Sequence, residues 1–383
     1  MNKVIVFYGS KRDFDSRLEK DEVVSSFTTF MAIIRDYNAK LRPMNTRYQE
    51  EVSVKKYIDV LVVRAEEFGS VLDHVIHNFI SIITCYNDID TLYLHNPPHA
   101  IVAAIEAQSE AEIEVDKTEY CQITRENLKG AYEELRNKVI GQSEQKRRLI
   151  STIYKSTGIN YRKPIVVMLL GPSGVGKTET AKVISQYYGG ELLRIQFSMM
   201  QNQEAYNYIF GAEHSRNSLA RDLLGRETNI ILIDEFDKVN SVFYNAFYQM
   251  FDEGVYVDTT YKVDLSNTII ICTSNFASGE EAREKLGTPI FSRFDAMIKY
   301  DYLSIDEKRA ILTDIYTTAR NRLHNDEQLI IDSKEIFALF DKNLERYTNV
   351  RSLKSSVEEA IYSCLFDVYI CDVNEQTTEE KCR

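Results

Sequence analysis

The 383-residue chain is poor in several features that would narrow its class at once. None of its apolar runs approaches the roughly 18 residues a membrane-spanning helix needs. The opening run Val4-Ile5-Val6-Phe7-Tyr8 is too short for a signal-peptide core and meets Lys11, Arg12 and Asp13 at once, so it reads as a first strand and the expected location is cytoplasmic. Six cysteines occur with no Cys-x-x-Cys pair, and several lie in apolar patterns; they read as reduced, mostly buried residues. There is no surplus of positive charge: 46 Lys and Arg stand against 58 Asp and Glu, a net charge of −12. Binding to nucleic acid is therefore not indicated by bulk charge. Internal repeats and long low-complexity tracts are also missing. What remains, 44% hydrophobic and 27% charged, is an ordinary globular composition. The length suits two or three domains at roughly 100–200 residues each.

The pattern along the chain divides into three regions. Residues 1–125 read as a mainly helical N-terminal domain: Val54, Tyr57, Ile58, Leu61 and Val62 recur at helical spacing, as do Val71, Val75, Ile76, Phe79 and Ile82. Asn96-Pro97-Pro98 is a firm break, Ala100 to Ala107 a short helix, and the acidic stretch Ser109 to Asp116 a linker or an exposed strand. Residues 126–300 alternate apolar strands with helices. The strands are expected at Ile165–Leu170, Leu192–Phe197, Ile230–Ile233, Thr268–Thr273 and Ala296–Tyr300. Continuous apolar strands between helices imply a parallel α/β sheet covered on both faces. Residues 301–383 are largely helical, with one β-like run at Leu329-Ile330-Ile331.

Between the first of these strands and a helix lies Gly171-Pro172-Ser173-Gly174-Val175-Gly176-Lys177-Thr178, followed by Glu179. It fits Gly-x-x-x-x-Gly-Lys-[Ser/Thr] in full and has the strand before and the helix after that the motif requires. Backbone N–H groups of such a turn close around phosphates at a helix N-terminus. Lys177 would reach the β- and γ-phosphates, and the Thr178 hydroxyl would ligate Mg2+. The strand Ile230–Ile233 ends in Asp234 and Glu235, 57 residues after Lys177 for the Asp. Asp234 there would hold the Mg2+, and Glu235 would orient and deprotonate the attacking water. The site is that of a nucleoside triphosphate.

From Ala131 to Phe366, some 60% of the chain, the sequence resembles AAA+ ATPases, and within them the Clp-type modules. The leading helix with Glu133-Glu134-Leu135 and the segment Val139-Ile140-Gly141-Gln142 look like the family's adenine-contacting stretch, which implies nucleotide contacts for Ile140 and Gly141. Residues 171–179 look like its Walker A loop, and Ile233-Asp234-Glu235-Phe236-Asp237-Lys238 like its Walker B segment. Thr273-Ser274-Asn275 resembles sensor 1, with Asn275 polarising water or the γ-phosphate. Phe291-Ser292-Arg293-Phe294-Asp295 is similar to the arginine-finger segment, so Arg293 would reach the neighbouring subunit's nucleotide; taken alone, it would be a surface ion pair. Asn349-Val350-Arg351 falls where the family has Gly-Ala-Arg, and Arg351 is the matching sensor 2 residue although the two before it differ.

The resemblance implies a single AAA+ module with ATP and Mg2+ as cofactors, a helical lid, a homo-oligomeric ring or nucleotide-bridged assembly, and a protein substrate or partner complex remodelled by ATP hydrolysis. Two departures temper the expected threading of polypeptide. The interval between Gly211-Ala212 and Leu219 is short and has no aromatic residue to grip a chain, and Tyr206, Tyr208 and Phe210 before it are spaced for packing. The hairpin Gly254–Asp264, with Tyr256 and Tyr261, is expected to use its aromatics for packing. Leu286-Gly287-Thr288 is a weak echo of a peptidase-docking loop, so a barrel peptidase is a doubtful partner. The alternative reading is a nucleotide-dependent switch or assembly factor acting on one specific partner. The pairs His74/His77 and His95/His99 have no completing Cys or carboxylates and read as structural.

Overall fold

The computed structural model describes residues 1–23, 26–41, 55–197, 202–211 and 217–371. Most of the short segment Glu213–Asn217, expected to lack an aromatic that could grip a chain, lies outside them.

The opening Val4-Ile5-Val6-Phe7 is buried on both sides, as befits the central strand of a parallel sheet. It belongs to β1 (Lys3–Tyr8). With β2 (Thr28–Thr29), β3 (Lys56–Val63), β4 (Asn87–His95) and β5 (Glu112–Lys117) it forms a five-stranded sheet, ordered β2-β3-β4-β1-β5 and parallel throughout. Val4 and Val6 face one core with Phe30, Phe79 and Ile101; Ile5 and Phe7 face another with Phe14 and Leu18. The N-terminal region is thus organised by a sheet, and the expectation of a mainly helical domain is corrected. The helices Asp73–His77, Phe79–Cys85 and His99–Gln108 are where the periodicity placed them. The stretch from Tyr57 to Val62, however, is strand, its Ile58, Leu61, Val62 and Val63 buried between neighbours in the sheet. The acidic run 109–116 is mostly the exposed edge strand β5.

A helix Arg125–Lys138, opened by a Thr124/Asn127 capping box, and a helix Ser143–Ile153 lead into the second sheet. Its strands are β6 (Ile165–Leu170), β7 (Leu193–Gln196), β8 (Ile230–Asp234), β11 (Ile269–Thr273) and β12 (Ala296–Lys299), ordered β12-β6-β11-β8-β7 and all parallel. Every expected strand is present. Val166, Met168 and Leu170 enter the core on one face, and Ile165, Val167 and Leu169 the core on the other. A burial of that kind contributes about 1.5–3 kcal/mol per large aliphatic side chain.

Between β8 and β11 stands the hairpin β9 (Val255–Val257) and β10 (Lys262–Asp264). Tyr256 and Tyr261 are buried in it, and the Tyr256 hydroxyl donates to the Ile209 carbonyl, so both aromatics pack. Tyr208 likewise is buried and donates to Asp222 at 2.6 Å.

The C-terminal helices Ile305–Arg320, Asn325–Ser333, Ile336–Asp341 and Val350–Phe366 share a core of Leu312, Ile331, Phe340, Leu353, Val357 and Ile361. Leu329–Ile331 is helical rather than a β-run. His324 and Glu327 cap the helix start, and only Ile331 of the three enters the core fully. Leu286 is buried at a helix end, while Gly287 is half-buried and Thr288 exposed. The cysteines also depart from expectation: Cys272 is buried, but Cys85 and Cys121 are exposed and Cys364 only half-buried.

Candidate functional site

The phosphate loop leaves β6 at Leu170 and enters the helix Lys177–Tyr187. Its three glycines hold φ of +119° (Gly171), +76° (Gly174) and +102° (Gly176), values that favour glycine over any residue with a Cβ. Space adds to the constraint. A Cβ on Gly171 would sit 2.2 Å from the Tyr300 carbonyl oxygen, and one on Gly174 would sit 2.7 Å from Asn349 Cβ. Pro172, Ser173 and Val175 fill the turn, with Val175 buried and Ser173 exposed.

Lys177 is buried. Its Nζ donates to the carbonyls of Gly171 and, at 2.7 Å, of Pro172, so the loop's own backbone holds the ammonium. Burial pushes its pKa down from the usual 10.5 to about 8, opposed by Asp237 and Asp234 and assisted by Arg351. Thr178 follows, half-buried, and Glu179 is exposed.

Asp234 ends β8 and is buried. Its Oδ1 accepts the Thr273 hydroxyl from the end of β11, and its Oδ2 accepts Arg194 Nε at 2.9 Å and Nη2 at 2.5 Å. Glu235 takes the left-handed conformation (φ +56°), its N–H donating to Thr273 Oγ1 at 3.0 Å and its Oε2 accepting Gln196 Nε2 at 3.3 Å. Thr273 thus aligns both acids. Asn275 lies two residues beyond, exposed at the same strand end.

The remaining assignments come from other elements. Val350 N–H donates to Gly174 O at 3.3 Å, which seats the start of the last helix, and Arg351 with it, on the phosphate loop. Asn349 caps that helix by accepting Ser352 N–H at 2.8 Å. Residues 139–142 wedge in from the other side. Val139 Cγ1 lies 3.4 Å from where a Gly176 Cβ would be, Lys146 Nζ donates to Val139 O at 2.7 Å, and Gln142 Nε2 donates to Asp301 O at 2.7 Å. Ile140 and Gly141 therefore lie between loop and lid, Gly141 against Glu307.

Arg293 alone is not brought to this site. Its Nε donates to Asp252 Oδ2 at 2.8 Å, and its guanidinium lies 4.1 Å over the Tyr248 ring. Asp295 bonds Val166 at the beginning of β6, whereas the phosphate loop leaves that strand's end, roughly 15 Å away along it.

The donor set fits a nucleotide with a divalent cation. The glycine cradle admits backbone approach, Thr178 and Asp234 offer hard oxygen ligands suited to Mg2+, and two buried polar atoms beside them, Asp237 Oδ1 and Ser274 Oγ, have no hydrogen-bond partner among the described residues. Mg2+ held there would supply positive charge against the phosphates. Sequence reading missed Arg194 and Gln196. They sit two apart on β7, with Gln196 in register with Asp234, and only strand pairing reveals the juxtaposition.

The AAA domain (Cdc48 subfamily) family matches residues 162–326. Among curated proteins, the ATP-dependent Clp protease ATP-binding subunit ClpL of Staphylococcus aureus (strain USA300) is 27% identical, covering 64% of this chain and 39% of that protein. Chaperone protein ClpB of Clostridium perfringens (strain 13 / Type A) is 34% identical over 45% of this chain and 22% of its own length. A solved structure of the S. cerevisiae Hsp104-ADP complex aligns with 49% of this chain and 38% of its own, at a TM-score of 0.44 and 22% identity. The chain spans about two fifths or less of the length of these relatives. Among the described residues no helix is long and apolar enough to cross a membrane. With the phosphate loop, the Asp234–Glu235 strand end and the lid helix in place, residues 162–326 match an AAA domain, and the chain is similar to Clp-type AAA+ ATPases.

Proposed function

We propose that this chain binds ATP with Mg2+ and hydrolyses it, using the energy to remodel a protein partner or complex in the cytoplasm. The observation that carries the reading is the convergence of four separate elements. The Gly171–Thr178 loop, the Asp234–Glu235 strand end, Thr273 with Asn275, and the lid helix bearing Arg351 meet at one edge of one sheet. In this reading Lys177 and Arg351 place positive charge against the phosphates, and Thr178 and Asp234 hold the cation. Glu235 Oε takes the proton of the attacking water, while Asn275 orients that water. Ile140 and Gly141 line the base. Arg293 faces away from its own site, so its role is to complete the site of a neighbouring copy, which makes the active form a homo-oligomer.

Remodelling of one specific partner, with ATP controlling assembly, is the second reading. It is favoured by the burial of Tyr256 and Tyr261, which leaves the hairpin without these aromatics to grip an extended chain.

The test is Glu235→Gln. It is expected to bind ATP with near-normal affinity and to lose turnover by about 10²-fold or more, the scale of a positioned general base. Unchanged turnover would remove Glu235 from its role. Stimulation of wild-type turnover by a generic unfolded protein would support broad remodelling, and a response to one partner alone would support the switch.

A further inference from the structure

The two sheets are laid out alike. Counting strands from the start of each, both run fifth, first, fourth, third, second, all parallel. The hydrogen bonds at their strand ends match as well. Asn96 N–H donates to Phe7 O at 2.8 Å and Thr118 N–H to Tyr8 O at 2.9 Å; in the second sheet Ser274 N–H donates to Leu169 O at 3.0 Å and Tyr300 N–H to Leu170 O at 2.9 Å. Gly9 therefore stands where Gly171 stands. Both have positive φ (+145° and +119°), and a Cβ on either would collide with the residue leaving the fifth strand, Thr118 at 2.0 Å or Tyr300 at 2.2 Å. By the same register Val63, paired with Leu94, matches Ile233, paired with Cys272. Arg64 then occupies the position of Asp234.

Each element of a phosphate site is replaced at the first sheet. The six-residue loop is reduced to Gly9-Ser10 before the helix Lys11–Lys20 begins. The amides that would face phosphate are already used: Gly9 N–H donates to Asn96 Oδ1 and Ser10 N–H to Thr118 Oγ1, each at 2.8 Å. The Gly9 carbonyl takes Asn96 Nδ2 at 2.8 Å and His95 Nε2 at 2.9 Å. A cation, Arg64, paired with Asp15 at 2.6 Å, stands where a metal ligand would be.

The same edge is partly covered, beside an open cleft lined by Tyr8, Gly9, Thr118 and Tyr120 from the first sheet and Arg226 from the second. Ligands of open parallel sheets bind outside the carboxyl ends of the strands, and here those ends meet the second sheet's opposite edge. His99, after β4, bonds the hairpin carbonyl of Thr260 through Nδ1 at 2.7 Å. Ala65 O, after β3, accepts Arg221 Nη2 at 2.9 Å. Arg12 reaches Glu227 at 3.5 Å, and Tyr120, after β5, lies under the Arg226 guanidinium at 4.5 Å. Arg226 and Glu227 precede β8.

We propose that residues 1–118 are a second phosphate-loop-type sheet that binds no nucleotide, its ligand edge serving as the seat on which the nucleotide-binding sheet is fixed. The chain then takes one nucleotide, and the two sheets form a head-to-tail stack.

Equilibrium dialysis of the full chain with Mg2+ and the analogue AMP-PNP is expected to give one nucleotide per chain, and none for Lys177→Ala. Two per chain, or residual binding in Lys177→Ala, would overturn the closure of the first sheet. No binding by the wild type would instead defeat the proposed nucleotide site and leave the closure standing. The seat is tested by hydrogen exchange. Tyr120→Ala, and the exposed charge reversal Arg12→Glu in case the first fails to fold, are expected to speed exchange of the 9–13 and 95–100 amides several-fold. Nucleotide protection of 171–178 is expected to persist. Exchange unchanged in the Arg12→Glu protein, or in both, would refute the seat.

Discussion

The depressed Lys177 gives nucleotide binding a pH dependence of calculable sign. In the free site its ammonium is buried against carbonyls, and its pKa falls from 10.5 to about 8. Phosphates arriving opposite it favour the charged form and raise that value. Above pH 8, binding must therefore draw a proton from solution. At pH 9 roughly a tenth of free sites still hold the proton, so affinity is expected to be down about tenfold, some 1.4 kcal/mol, relative to the plateau below pH 8. Titration calorimetry of AMP-PNP in two buffers of different protonation enthalpy measures both quantities. Proton uptake should be small at pH 7.5 and approach one per site at pH 9, and Lys177→Arg, charged throughout, should show neither the uptake nor the slope. Constant affinity from pH 7.5 to 9.5 without proton uptake would refute the reasoning.

Stability of the nucleotide-free protein carries the opposite sign. The unfolded Lys177 keeps its proton up to 10.5, while the folded one gives it up near 8. Between those values the unfolded chain binds more protons, so this group's contribution to stability rises with pH. Denaturant midpoints at pH 7.5 and 9.5 should differ by a smaller increment in Lys177→Met than in the wild type.

Other substitutions test single contacts. Gly174→Ala places a Cβ 2.7 Å from Asn349 Cβ at a φ of +76°, so the lid helix must back away; nucleotide affinity should fall by about 1–3 kcal/mol by fluorescence titration. Thr273→Val keeps the shape but removes the hydroxyl that serves both Asp234 and Glu235 N–H, and should cost about 1–3 kcal/mol by thermal denaturation together with most of the turnover. Arg293→Ala should lose turnover by about 10²–10³-fold while still binding ATP. Mixing it with Glu235→Gln subunits should restore part of the activity; a mixed oligomer that stays silent would argue against action in trans.

How much of this molecule could be read in its sequence depends on what each segment must touch. The strands of the nucleotide-binding sheet were legible because both their faces are covered: Ile165 to Leu170 has no exposed position at which a polar residue could interrupt the run. The phosphate loop was legible for a different reason, since its positive φ angles restrict those positions to glycine. In the first sheet the inner strands meet the first condition, and the buried β1 was legible as a strand, but the outer ones do not. There β5 is an exposed edge written Glu-Ile-Glu-Val-Asp-Lys, β2 is two residues long, and β3 begins with the exposed Lys56 and Tyr57. The shared plan of the two sheets lives in strand order and end-of-strand hydrogen bonds, and almost any residue can supply those. No repeat was visible because little beyond Gly9 and Gly171 is required by the same steric demand in both.

The site residues divide along the same line. Lys177, Thr178, Asp234 and Glu235 were found because a ligand's chemistry dictates their type and spacing. Arg194, forty positions from Asp234, was not, because its partner is chosen by register: β7 lies beside β8 with Gln196 opposite Asp234, and Arg194 shares that strand face two residues away. Groups that bind a ligand leave a signature in local spacing, whereas groups that hold those groups in place are specified by which strands are neighbours. The orienting contacts of Asp234 and Glu235, from Arg194, Gln196 and Thr273, all cross between strands, which is why the reacting residues could be named before the fold was known and their supports could not.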